Sequence, residues 1–183
     1  MNEPVRIVAD YLNGTTSGAV SLSTVLAAVP RYSGDSAVAT PTVYDSTRHA
    51  FLARGIWPQA TDTTVVYPAV GVRLMDATYT TDERPQPDDA GFVTEGDCTI
   101  AIGIVVDLQD PDEAAEDVGY LVRGVLNCLR KMHRGPNAHR QIKEFLLKKA
   151  LSLRVETPPV EQHDKRAMAV IFAAYKTMET TYS

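Results

Sequence analysis

The chain has 183 residues, enough for one substantial hydrophobic core, and its 44% hydrophobic and 22% charged residues are typical of a globular protein. A formal net charge of −5 argues against nucleic-acid binding as the main activity, because phosphate binding needs a basic surface. The sequence has no apolar run of about 18 residues and no basic-then-apolar leader. We therefore expect a single domain over residues 1–183 that is made and kept in the cytoplasm, or in something assembled there, and makes no membrane contact.

The first segment predicts an amphipathic helix. Pro4 suits a first helical turn, and Val5, Val8 and Leu12 share one face. Asn13-Gly14 ends the helix.

A second, shorter helix is predicted over residues 22–29, with Ser21 or Ser23 as its cap. Residues 31–67 are rich in Ser, Thr, Asp and Gly, and they predict a long loop with one short strand at Thr42–Tyr44.

Two strands follow, separated by an acidic loop. "YPAVGVRLMDATYT" alternates apolar and mixed residues, as does "CTIAIGIVVDL" from Cys98. The stretch between them, about residues 80–91, contains two prolines and four acids, and predicts an exposed loop. We expect this loop and the 31–67 loop to be mobile in the isolated chain and to become ordered when copies assemble.

The strongest helix signal starts at Asp110-Pro111, where the Asp caps, Pro occupies the first helical position, and the following acids suit the helix dipole. Its apolar stripe predicts about six turns, ended by "RGP" at 134–136. The stripe consists of Ala114, Val118, Leu121, Val125, Leu129 and Met132.

Beyond this helix, Asn137 is a possible cap for a short helix that carries Ile142, Phe145 and Leu146. Alternation then predicts two more strands, over 151–156 and 166–179. The order of these elements indicates an α+β fold: a mostly antiparallel sheet of about four to five strands, with the helices packed on one face. The other face of the sheet, which includes the small residues Ala101, Gly103 and Val105, is expected to be solvated or buried against a neighbour.

Charge is unevenly spread along the chain. Thirteen of the 23 acids lie between Asp76 and Asp117, and nine of the 18 bases lie between Arg123 and Arg154. Two solvated faces are one interpretation; an acidic surface that meets the basic surface of an identical neighbour is the other. The second predicts a subunit interface formed by Asp110, Asp112, Glu116, Arg130, Arg134, Arg140 and Lys143.

The sequence shows no pattern for catalysis. His133 and His139 lack the spacing of a metal pair, His49 and His163 stand alone, and no GxSxG or phosphate-binding glycine motif occurs. Cys98 and Cys128 have no neighbour that would activate a thiol, and they predict two buried thiols. We expect no enzymatic activity, no catalytic residue, no metal and no cofactor.

Four segments together resemble the tail terminator (tail completion) proteins of long-tailed bacteriophages. They are an N-terminal amphipathic helix "EPVRIVADYL", a strand entry "YPAVGVRLM", a strand that runs into an acid-capped helix "IAIGIVVDLQDPDEAAEDVGYLVRGVLNCL", and the C-terminal "AVIFAAYKTMETTYS". The resemblance covers most of the chain. It lies in the order and kind of the segments rather than in signature residues.

The resemblance implies a homohexameric ring that caps the finished tail tube, ends its polymerisation and offers a surface for head joining. Implied partners are the tail tube protein and a head-completion (neck) protein, while DNA passes through the opening without specific binding, and the implied location is the virion. Loop residues that would contact tube or neck are Asp82, Glu83, Arg84, Asp88 and Asp89. A neck adaptor and a small non-viral α+β binding module remain alternatives.

Overall fold

The computed structural model describes residues 3–15, 19–29, 40–53, 55, 64–81, 92–107, 111–133, 146–156 and 166–181. The helices in these ranges are α1 (Glu3–Asn13), α2 (Leu22–Ala27) and α3 (Pro111–His133), with a 3-10 helix at Ala50–Ala53. The strands are β1 (Thr42–Asp45), β2 (Ala69–Thr81), β3 (Phe92–Asp107), β4 (Leu146–Glu156) and β5 (Arg166–Thr181).

The five strands form one sheet in the order β1-β2-β3-β5-β4. Every neighbouring pair is antiparallel except β1 and β2, which run parallel. The predicted α+β class with a mostly antiparallel sheet is thus confirmed. The parallel pair exists because the chain crosses from the end of β1 at Asp45 to the start of β2 at Ala69 before it pairs.

One face of the sheet carries the core. Along β3, Ile100, Ile102 and Ile104 are fully buried, and in register they lie beside Leu74, Val72 and Val70 of β2. The odd-numbered residues of β5 continue the same face, since Ile102 pairs with Ile171 and Ile104 with Ala169. These side chains join α1, α2 and α3 in one apolar cluster, so the helices lie on one face, as predicted.

Local sequence signals explain where α1 ends and where α2 begins. Gly14 has a φ of +72°, and the amides of Gly14 and Thr15 donate to the carbonyls of Tyr11 and Asp10, which is a Schellman motif at the end of α1. Ser21 caps α2, because its side chain accepts a hydrogen bond from the amide of Thr24.

The predicted stripe of α3 is buried in full: Ala114, Val118, Leu121, Val125, Leu129 and Met132 are each at most 5% exposed. On another side of α3, Gly124 lies against Leu22 and Leu26 of α2. The hydroxyl of Tyr120 donates to the Leu26 carbonyl at the end of α2, which ties the short helix to the long one.

The strand predicted at Thr42–Tyr44 is confirmed as β1. The centre of the 31–67 segment also contains the 3-10 helix and the buried Leu52, so this part packs on the sheet. The rest of the 31–67 and 80–91 loops lies largely outside the described residues, and the mobility of these loops stays a prediction. Two sequence expectations need correction. β3 begins at Phe92, earlier than its apolar alternation, because pairing with both β2 and β5 holds residues of weak strand propensity such as Gly96. Leu146 is the first residue of β4, paired with Thr177, and does not belong to a helix.

Candidate functional site

A hydrogen-bonded group of polar side chains lies where β1 ends. Asp45 is 2% exposed, and its Oδ1 accepts hydrogen bonds from the amides of Thr47 (2.9 Å) and Arg48 (3.1 Å) and from the Thr47 hydroxyl. Arg48 Nη1 lies 3.5 Å from Asp45 Oδ2. The same guanidinium donates two hydrogen bonds to Asp10 of α1, at 2.9 and 3.2 Å. We call Asp10, Asp45, Thr47 and Arg48 the β1-turn cluster.

Aromatic rings extend this cluster toward the sheet. The His49 ring packs edge-on against Tyr44 at 5.0 Å between centroids, and Tyr44 packs against Phe51 at 5.4 Å. The Tyr44 hydroxyl accepts a hydrogen bond from the amide of Val66. His49, which the sequence left without a role, therefore helps to pack the segment after β1 onto the sheet.

The chemistry of the β1-turn cluster is structural. The Asp45 carboxylate is surrounded by donors of its own turn, and hydrogen bonds to Asp10 raise the pKa of the Arg48 guanidinium, so that Arg48 stays charged. The arrangement links β1 to α1. Its sequence signal was "DSTR" directly after a strand, since an Asp followed by Ser and Thr is typical of a turn in which the carboxylate caps the amides that follow.

The two thiols are poor nucleophiles. Cys98 on β3 is 3% exposed and Cys128 on α3 is fully buried. Burial raises the pKa of Cys98 to about 11 and that of Cys128 to about 12. Since only the thiolate is reactive, both stay protonated and inert near neutral pH, in agreement with the predicted buried thiols.

Among the described residues, no group of three or more His, Cys, Asp or Glu side chains is placed to hold a metal ion. His133 ends α3, His49 belongs to the aromatic packing above, and His139 and His163 lie outside the described residues.

The predicted subunit interface is only partly described. Asp112 lies in the first turn of α3, Glu116 is half-buried one turn further on, and Arg130 is exposed near the far end. Glu116 and Arg130 are separated by 14 residues, about 21 Å along the helix axis. One helix thus carries acids at one end and bases at the other. Outside the described residues lie Asp110, Arg134, Arg140, Lys143, Asp82, Glu83, Arg84, Asp88 and Asp89.

The second sheet face differs from expectation. The sequence predicted that its small residues would be solvated or would meet a neighbour, but Ala101 is 0% and Val105 1% exposed within the single chain, and Gly103 is buried. Ala69, the cross-strand partner of Val105, packs with Tyr44, Leu52 and Val65 in a second apolar cluster. The 3-10 helix region therefore covers part of this face, and Ala101, Gly103 and Val105 are buried within the single chain rather than open to a neighbour.

No described helix is both long enough and apolar enough to span a bilayer. No protein-family model matches this chain, and no curated protein sequence matches it significantly.

Proposed function

We propose that this chain is a structural subunit of a long-tailed bacteriophage: a tail terminator protein that forms a homohexameric ring on the tail tube. The ring ends tube polymerisation, offers a surface to the head-completion protein and lets DNA pass through its centre. It acts by assembly, without catalysis, and resides in the virion.

The observation that carries this proposal is the order and layering of the described elements. Two N-terminal helices precede the sheet, β3 leads into α3 through only residues 108–110, and α3 packs back on the core face beside α1 and α2. The chain then ends in the β4–β5 strand pair. This order of elements agrees with the order of segments in which the sequence resembles tail terminator proteins.

The charge distribution supports a ring with unlike edges. Cyclic assemblies close through heterologous contacts, so one surface of a subunit must complement a different surface of the next. The acids at the start of α3 and the bases at its end supply such a pair of surfaces. In this ring, Glu116 and the acids near it face Arg130 and the basic tract of the neighbouring subunit.

Native mass spectrometry and negative-stain electron microscopy of the purified chain test the proposal. We expect six copies in an annular particle with a central opening. A monomer at every concentration, or a closed two-fold dimer, would refute the ring.

A second measurement separates the terminator from its alternatives. Tail tubes polymerised from the tube protein of the same genome should carry the ring at one end and stop growing when it is added. A ring that binds only a head connector would instead be a neck adaptor, and a ring that binds neither would contradict both virion functions.

A further inference from the structure

One edge of β2 pairs with none of the described strands along most of its length. It pairs with β3 from Ala69 to Thr81, but with β1 only from Ala69 to Val72. The last described bond on the β1 side runs from the Ser46 amide to the Val72 carbonyl, at 2.9 Å. Beyond it, no described strand pairs with this edge over residues 73–81. We call residues 73–81 of β2 the open edge.

The backbone groups that point outward from the open edge follow from the register. The Val72 carbonyl points toward β1, and because backbone groups alternate along a strand, those of Leu74 point the same way. The irregularity between Leu74 and Asp76 shifts this alternation by one residue. Ala77 and Tyr79 therefore direct their amides outward, whereas Asp76 and Thr78 direct theirs toward β3.

The opposite edge of the sheet is β4, the last strand in the order. The register of the intervening strand pairs shows which residues of β2 lie level with the two ends of β4. Leu146 pairs with Thr177, Thr177 with Gly96 and Gly96 with Tyr79, so Leu146 lies level with Tyr79. In the same way, pairing through Phe172 and Ala101 brings Arg154 level with Arg73. The two edges thus occupy the same level of the sheet and have similar lengths.

The strand directions also match. From β2 through β3 and β5 to β4, every pair is antiparallel, so β4 runs opposite to β2. A second copy placed beside the first, with its β4 against the open edge, would continue the alternation without a break. An unpaired strand edge is a template for such addition.

We propose that β4 of one copy pairs antiparallel with the open edge of β2 in the next copy, so that the subunits join head to tail through a continuous sheet. This inference rests on the ring of the proposed function and names its main subunit contact. The two joined surfaces are different, as closure of a ring requires. Hydrogen bonds between the paired backbones supply the contact between subunits. Ala101, Gly103 and Val105 do not supply it, because they are buried within one chain.

Both edge strands of the sheet are irregular. β2 has its register shift between Leu74 and Asp76, and β4 has a larger one between Leu147 and Ser152. Bulged edges twist away from a flat, regular strand, so they discourage pairing with unrelated strands.

A proline substitution tests the pairing. Ala77→Pro removes an outward amide and leaves the bonds from Asp76 and Thr78 to β3, because proline is tolerated where its missing amide would face out of the sheet. Ala77→Ser is the matched control, since it keeps the amide at the same position. Native mass spectrometry should show rings for wild type and Ala77→Ser. For Ala77→Pro we expect folded monomers and an assembly dissociation constant raised about tenfold or more.

The outcomes separate the inference from the proposed function. If Ala77→Pro forms rings like wild type, strand pairing is refuted and the ring stands. If wild type itself stays monomeric, both are refuted. Should Ala77→Pro fail to fold, amide hydrogen exchange of wild type decides. Protection of Ala77 and Tyr79 in the ring but not in diluted subunits supports the pairing, and equal exchange in both states refutes it.

Discussion

Two glycines of α3 have opposite surroundings. A Cβ added at Gly124 would lie 2.4 Å from Leu26 Cδ2 and 3.3 Å from Leu22 Cδ1, both in α2. A Cβ added at Gly119 would meet nothing within 4 Å. Gly124 therefore allows α2 to approach α3, whereas Gly119 only weakens the helix.

Alanine substitutions should change stability in opposite directions. Gly119→Ala raises the free energy of unfolding by about 0.5–1 kcal/mol through helix propensity. Gly124→Ala gains the same propensity but forces the buried Leu26 to move, and lowers the free energy of unfolding by about 1–3 kcal/mol. Urea unfolding of both variants measures this, and a stabilised Gly124→Ala protein would contradict the close contact.

The two buried thiols predict that the folded state loses stability at alkaline pH. An unfolded cysteine has a pKa of about 8.5, whereas the folded values are about 11 for Cys98 and about 12 for Cys128. Above pH 8.5 the unfolded chain releases protons that the folded chain retains, so the free energy of unfolding falls as pH rises toward the folded values. Each thiol contributes a slope of up to about 1.4 kcal/mol per pH unit.

A variant without thiols isolates this effect from Lys and Tyr titration. The stability difference between wild type and Cys98→Ala/Cys128→Ala should shrink between pH 8 and about 10.5. A difference that stays constant over this range would show that the thiols titrate alike in both states.

Among the elements, the β1-turn cluster joins β1 to α1, a contact that no pattern in the sequence predicted. Asp45→Ala leaves the amides of Thr47 and Arg48 without their acceptor in a buried turn, and should cost about 2–3 kcal/mol of unfolding free energy. Asp45→Asn keeps an acceptor oxygen for those amides and loses mainly the ion pair with Arg48, so it should cost about 1 kcal/mol or less. Equal losses in urea unfolding would show that the ion pair, rather than the amide capping, stabilises the turn.

The spacing of apolar residues predicted those helices and strands that bury one face in the core. The stripe of α3 gives its buried residues correctly, and the alternation from Cys98 to Val106 gives the core face of β3, because a helix or strand that buries one face must repeat with its own period. The alternation did not predict that Ala101, Gly103 and Val105 on the other face are buried as well. Leu146 and the first residues of β3 were missed, since pairing with β5 overrides the local preference there. α1 was also underestimated: Ile7 and Ala9 are buried beside the predicted Val5, Val8 and Leu12.

At the scale of the whole molecule, the sequence predicted the class of the fold and the inertness of the thiols, but it could not give the edges of the sheet. Strand order depends on pairs far apart in the chain, such as Val43 with Val70 or Ile102 with Ile171. The same holds for the β1-turn cluster, where Arg48 and Asp10 are 38 residues apart. The acidic and basic tracts are visible in the sequence, but they do not show where the charged residues lie relative to one another in the fold.

Charge complementarity between subunits should control the rate of ring formation. Arg130 is exposed near the end of α3, and in the proposed ring it faces the acids around Glu116 of the next subunit. Arg130→Glu should slow assembly about two- to fivefold at low salt, because exposed pairs contribute little individually. In about 1 M salt the effect should vanish, since charges are then screened within about 3 Å.

Two further variants make this test specific to the interface. Arg6→Glu makes the same change in net charge on α1, and should assemble at the wild-type rate. Adding Glu116→Arg to Arg130→Glu swaps the two charges, and should restore part of the lost rate if the residues face each other across the contact. Light scattering after a concentration jump gives the rates, and thermal unfolding of each subunit corrects for the loss of a cation at the C-terminal end of α3. Equal slowing by Arg6→Glu and Arg130→Glu would assign the effect to net charge and remove the helix ends from the interface.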